Sequence, residues 1–293
     1  MLNVGQPSLL YPAAVGEHDY QLLEQSLRRP RRPALIEPPP LLAGRFKLLR
    51  HLGTGALATV YRALDTCGGQ GGSGGGVLAI KLVRSSQLMD HRVLLSFENE
   101  AGLLASLEHP HIVRAYRFYH HPPWYFVSME LLTGGSLAVL ACHPLRSRTR
   151  CLHHIRCLAA ALAYLHQRGV VHGDIKPENV LLDAGGRVRL VDFARLPGVD
   201  AWTAPYASPR RLAGKAPGAA DDVYSLAVMA CELLGGGHPY RGLPADQARR
   251  RDMLPQRPPG LSRRQWRALA GGLCLEDERR WQWGGEFAAA LGD

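Results

Sequence analysis

The chain has 293 residues and a formal net charge of +10 at pH 7, long enough for one domain of about 250 residues plus a short extension. Hydrophobic residues make up 46%, which excludes a largely disordered protein, and apolar runs such as 157–165 are too short and interrupted to span a bilayer. No basic-then-apolar export signal is visible, and six cysteines at irregular spacings read as reduced thiols, so the expected compartment is the cytoplasm.

Residues 1–44 hold four arginines and four acids, so the positive surplus belongs to residues 45–293. Proline density from Pro30 to Pro40 favours an extended, flexible segment, and folded structure is expected from about Gly44. Strand patterns follow at Phe46–Leu52, Val60–Leu64 and Leu78–Val83, the last two joined by a glycine-rich stretch over 68–76. Apolar spacing predicts a helix from Leu88 to Leu107, stopped by His109-Pro110, and then strands at Ile112–Phe118 and Tyr125–Glu130. Beyond Gly134-Gly135 the pattern turns helical: Cys151–Gln167, Asp221–Leu234, Arg263–Leu275 and Gly285–Leu291. A strand-rich first part and a helix-rich second part predict an α+β protein of two lobes.

Five places carry chemistry. Gly53-Thr54-Gly55-Ala56-Leu57-Ala58-Thr59-Val60 lies between two strand signals, and glycines let backbone pass close over phosphates. Lys81 in Ala79-Ile80-Lys81 can hold phosphate charge, and Glu100 lies in the helix that follows. Taken singly, each of these is as well read as a turn, a surface charge and a solvated helix face. Asp174, Lys176 and Asn179 fall within six residues directly after Val170-Val171, a specific grouping of a proton acceptor, a cation and an amide oxygen. Asp192 ends the apolar run Leu190-Val191, and its carboxylate suits a hard divalent cation.

In this order the motifs resemble the protein-kinase family, in particular the bacterial eukaryotic-like serine/threonine kinases, from about Phe46 to Leu291. The resemblance extends to Thr203-Ala-Pro-Tyr206-Ala-Ser-Pro209 and to Asp222, which looks like the helix aspartate that supports the catalytic loop. It implies a bilobal fold, with an N-lobe over 45–132 and a C-lobe over 133–293, and ATP and Mg²⁺ as cofactors. Asp174 and Lys176 would be catalytic, and Asn179 and Asp192 would hold the metal. The nucleotide would meet Leu52, the loop Gly53 to Val60, Ala79, Lys81 with its partner Glu100, Met129 at the back of the adenine pocket, and the backbone of Glu130 to Leu132. Lys176 and Thr203 match serine/threonine rather than tyrosine kinases, so the expected substrate is a protein hydroxyl.

The chain departs from the family at four positions. Ala58 stands for the third loop glycine and Ala194 for the glycine of Asp-Phe-Gly. Arg210 replaces a glutamate whose buried ion pair with an arginine near 279–280 then cannot form, leaving Glu276, Asp277 or Glu278 to compensate. Gly173 stands where phosphorylation-regulated kinases have arginine, and 193–202 contains no Ser, Thr or Tyr, so control by activation-loop phosphorylation is not expected. A His-Gly-Asp motif also resembles small-molecule phosphotransferases, but those lack the lysine at 176 and the 203–209 segment. A nucleotide-binding pseudokinase scaffold is the other alternative. Cys142, His143, Cys151, His153, His154 and Cys157 match no tight zinc spacing and read as a buried helix face. The arginines at 146–156 and 249–267 read first as a solvated basic surface, with an acidic partner as the alternative; no series of aromatics interleaves with them to favour nucleic acid.

Overall fold

The computed structural model describes residues 38–55, 58–67, 76–84, 98, 101–141, 147–193, 203–235 and 237–292. The expected extended segment before residue 38, the glycine run at 68–75, most of the helix from Leu88 including Glu100, Cys142, His143, and the segment 194–202 fall outside these residues. The described residues from Pro40 onward belong to one compact unit, Pro40–Asp293.

Among the described residues the strands are β1 Leu41–Leu42, β2 Phe46–Thr54, β3 Thr59–Asp65, β4 Val77–Arg84, β5 Ala115–His121, β6 Trp124–Met129, β7 Val180–Leu182 and β8 Val188–Leu190. The first six form one antiparallel sheet in the order β1-β2-β3-β4-β6-β5, and β7 and β8 form a separate hairpin. β4 is covered on both faces, so it reads as an apolar run rather than an alternation: Leu78, Ala79, Ile80, Leu82 and Val83 are all buried. Leu42 and Phe46 pack with Ile80, Trp124 and Phe126 in a core of their own.

Residues 101–106 are helical. The later helices are α1 Leu137–Ala141, α2 Arg148–His166, α3 Pro209–Leu212, α4 Ala219–Leu233, α5 Ala245–Arg250, α6 Arg263–Gly272 and α7 Gly284–Leu291. α4 is apolar nearly all round and is the buried centre of this lobe, with Val223 through Cys231 enclosed. α2 packs against α4 and α7 with one face, on which Cys151, His154, Ile155 and Cys157 are buried. Gly284 lets α7 approach: a Cβ there would meet Ala163 N at 2.6 Å.

One expected strand is shifted. The apolar residues at Ile112 suggest a strand start, but Ile112 N–H closes a turn on His109 O at 3.1 Å. Ile112 then makes a single parallel bridge to Leu190, and β5 begins only at Ala115. Its side chain is buried in the larger of the two hydrophobic clusters, which is why it is apolar without being in a strand.

Candidate active site

β2 and β3 pair through Gly53↔Val60 and Thr54↔Thr59, and Gly55 N–H donates to Ala58 O at 2.8 Å. The glycine motif is therefore the tip of a hairpin, with Ala56 and Leu57 outside the described residues. Leu52 is exposed on the strand leading into it. On the neighbouring strand Lys81 lies in register with Val60 on one side and Val127 on the other, and Ala79 faces Met129. Glu130 follows β6, and its N–H donates to Arg114 O at 2.9 Å; Leu132 is half-buried just beyond.

The Lys81 ammonium is mostly buried and donates to Asp192 Oδ1 at 2.8 Å. Asp192 has φ 63°, a left-handed conformation that aspartate tolerates better than most residues. Crowding works against ionisation of its carboxyl, but the Lys81 charge and hydrogen bond outweigh this and hold it below the usual carboxylate range. Glu100, the expected partner of Lys81, lies outside the described residues.

A second network sits on the loop between α2 and β7. Lys176 Nζ donates to Asp174 Oδ2 at 2.6 Å and to Thr203 Oγ1 at 3.0 Å, and Thr203 Oγ1 donates to Asp174 Oδ1 at 3.2 Å. Asn179 Nδ2 donates to Asp174 O at 2.9 Å and to Asp174 Oδ2 at 3.0 Å. Both carboxylate oxygens of Asp174 are thus held by neighbours from two segments. The networks join through backbone, since Val191 N–H donates to Asn179 O at 2.9 Å. Asp174, Lys176, Asn179, Lys81 and Asp192 consequently share one site.

Beneath the loop lies a layer that local sequence pattern does not reveal. His172 is enclosed; its Nδ1 accepts Asp174 N–H at 3.2 Å, so Nε2–H donates to Val191 O at 3.0 Å. Burial depresses its basicity, which keeps this neutral tautomer. Its ring packs 4.7 Å from that of Phe193. Asp222, fully buried on α4, accepts His172 N–H at 2.8 Å, Gly173 N–H at 2.6 Å and His166 Nε2–H at 3.0 Å. His166 Nδ1 in turn accepts Gly284 N–H at 3.0 Å. Gly173 has φ 77°, which suits glycine. Asp222 was visible in the sequence through a motif, whereas His166 and Gly284 carried no signal.

The model of the protein kinase domain matches residues 46–266. The chain belongs to the protein kinase family. Among similar proteins, the serine/threonine-protein kinase PknD of Mycobacterium tuberculosis is 32% identical over 273 residues, covering 85% of this chain and 40% of that protein. PknA of Corynebacterium glutamicum is 30% identical over 270 residues, 86% of this chain and 56% of that kinase. PrkC of Bacillus subtilis is 30% identical over 213 residues, 69% and 32% respectively. This chain therefore spans between about a third and just over half of these relatives. Among the described residues no helix is long and apolar enough to cross a membrane.

One departure from the kinase pattern acquires a structural reading. Arg210 points to its own neighbourhood, donating to Ala216 O at 2.6 Å and lying 3.8 Å from Asp221. Arg280, fully buried over the Tyr224 ring, is met instead by Asp277 at 3.0 Å, and its Nε donates to Cys274 O at 2.8 Å. Ala194 lies outside the described residues.

Proposed function

We propose that this chain is a serine/threonine protein kinase that transfers the γ-phosphoryl of Mg-ATP to protein hydroxyls. The observation that carries the reading is the Asp174–Lys176–Thr203–Asn179 network, joined through backbone to the Lys81–Asp192 pair. Phosphoryl transfer asks mainly for positioned charge, and these two hydrogen-bonded groups supply cations and carboxylates of the kind it needs.

Asp174 would orient the substrate hydroxyl and accept its proton, with Lys176 neutralising charge on the transferring group. Lys81 would hold the nucleotide phosphates. Asn179 and Asp192 would hold Mg²⁺: a carboxylate and an amide oxygen are the hard oxygen donors such a cation prefers. The bound ion would supply charge neutralisation on the phosphate oxygens. At the hinge, Glu130 N–H is already committed to Arg114 O, so the Glu130 carbonyl would meet the adenine amine and Leu132 would donate.

Control by activation-loop phosphorylation is not part of this reading, because Gly173 offers no guanidinium and 193–202 offers no hydroxyl. The arginines from 249 to 267 are exposed and suit an acidic partner. The test is incubation of the purified chain with labelled Mg-ATP and a generic basic protein, beside Asp174→Ala, Lys81→Ala and Asp192→Ala. Label on serine or threonine, lost in all three variants, supports the reading. Tight nucleotide binding without transfer by the unaltered chain would replace it with a pseudokinase, and transfer by Asp192→Ala near the unaltered rate would overturn the site.

A further inference from the structure

Residues 108–113 join the helical residues 101–106 to β5, and they are fastened to β8. Val113 N–H donates to Leu190 O at 3.0 Å and Leu190 N–H to His111 O at 2.9 Å. His111 Nδ1–H donates to Val188 O at 3.0 Å, and Arg189 Nη1 to Ile112 O at 3.4 Å. Two residues past β8 comes Asp192. The bonds that hold 108–113 on β8 therefore also hold the strand that delivers Asp192 to Lys81.

The head of this segment depends on an unprotonated ring nitrogen. His109 Nδ1 accepts His111 N–H at 3.2 Å, while the ring lies 5.1 Å from that of Tyr164 and 5.7 Å from that of His111. A proton on Nδ1 abolishes the acceptor and adds a cation where cations are already gathered. His111, Arg189 and Arg168 face His109, with Arg168 lying 3.7 Å over the Tyr164 ring. Arg189, His153 and Arg187 face His111, which in turn faces His154 beside Arg150. The nearby carboxylates are engaged: Asp183 by Arg187 at 2.9 Å and Arg189 at 3.7 Å, Glu130 by Arg189 at 3.7 Å. Glu108 is exposed and reaches only Arg114 at 3.9 Å. Burial first, and then these like charges, depress the basicity of both imidazoles.

We propose that His109 is an acid-sensitive latch: neutral, it pins residues 108–113 to β8, and protonated, it releases them and loosens the strand that carries Asp192. Folding favours the neutral ring, so the latch is fully set above the ordinary histidine value of about 6.5 and is lost as pH falls below it. Any consequence for phosphoryl transfer rests on Asp192 being a metal ligand of the proposed kinase site. The latch itself does not.

Amide hydrogen exchange in the full chain tests this without nucleotide or substrate, and so separately from kinase activity. Protection at Val113 and Leu190, each referred to the unstructured rate at the same pH, is followed from pH 7.5 to 5.0 in the unaltered chain and in His109→Asn. The asparagine oxygen can accept the amide two residues on, as in an Asx turn, but does not titrate. The unaltered chain should lose up to about ten-fold protection per pH unit from His109 as pH falls below 6.5, and His109→Asn should lose less, keeping only the part that His111 and the other buried histidines contribute. Equal acid loss in the variant, or none in the unaltered chain, overturns the latch. Should His109→Asn not fold, the His109 Cε1–H resonance of the unaltered chain is titrated instead. A midpoint below 6.5 at which the loss at Val113 levels off supports the latch, and a midpoint at or above 6.5, or a loss that continues unchanged below the midpoint, overturns it.

Discussion

Asp222 accepts the amide hydrogen of Gly173 at 2.6 Å, and through this contact a fully buried carboxylate on α4 fixes the backbone one residue before Asp174. The same carboxylate takes the His172 amide and the His166 imidazole, so three donors depend on it. Asp222→Ala leaves those donors buried without an acceptor, and should cost about 3–5 kcal/mol, toward the severe end for a point change. Asp222→Asn keeps one acceptor oxygen and should cost less. Urea unfolding of both variants measures this, and equal losses would mean that the acceptor oxygen kept by asparagine contributes nothing.

Gly173 answers to backbone geometry as well as to the missing arginine. At φ 77° a Cβ brings strain of about 1 kcal/mol. Gly173→Ala should therefore lower stability by about that amount. Gly173→Arg should lose as much and gain nothing on incubation with ATP, because residues 193–202 supply no hydroxyl to phosphorylate. Unfolding midpoints and initial turnover rates test the two halves separately. A lag in the Gly173→Arg variant that ATP pre-incubation removes would contradict the second half.

The parts of this molecule that were legible in its sequence are those in which one short segment does the whole job. Asp174, Lys176 and Asn179 fall within six residues and meet around one carboxylate, and the helix around Cys151–Leu165 shows its buried face by spacing alone. Ile112 misled because a β-branched apolar residue fits a bridge between lobes as well as a strand. Of the layer under the loop only Asp222 was legible, through its motif, and its pairing with His166 was not. His166 and Asp222 are 56 residues apart and His166 and Gly284 are 118 apart, and no local period encodes such a pairing.

Asp277 and Arg280 show how one lost partner is replaced. Arg280 is buried and Asp277 is one-third exposed, so the pair is worth less than a fully enclosed one, but removal of the acid leaves an uncompensated buried cation. Asp277→Ala should cost about 1–3 kcal/mol. The double variant with Arg280→Met should cost less than the sum of the two single changes, since the second removes the charge that the first strands. A double-mutant cycle by urea unfolding measures the coupling, and simple additivity would remove Asp277 from this role.

His154 sets an acid limb on global stability. It is buried on α2, and its Nδ1 makes no hydrogen bond among the described residues. Burial is the main cause that pushes its basicity below the usual histidine range; the neighbouring His153 and Arg150 act in the same direction, while a backbone bond at Gly186 opposes them. The unfolded chain therefore binds a proton that the folded chain resists. The stability that depends on neutral His154 is complete above about pH 6.5 and is lost as pH falls through the window below. His154→Gln keeps a donor for Gly186 but cannot titrate, so its stability should fall less steeply between pH 6.5 and 5.0, by at most about 1.4 kcal/mol per pH unit. Urea unfolding at several pH values in this window gives both slopes. Parallel slopes would show that His154 is protonated in the fold at no cost, and that the acid limb belongs to other groups.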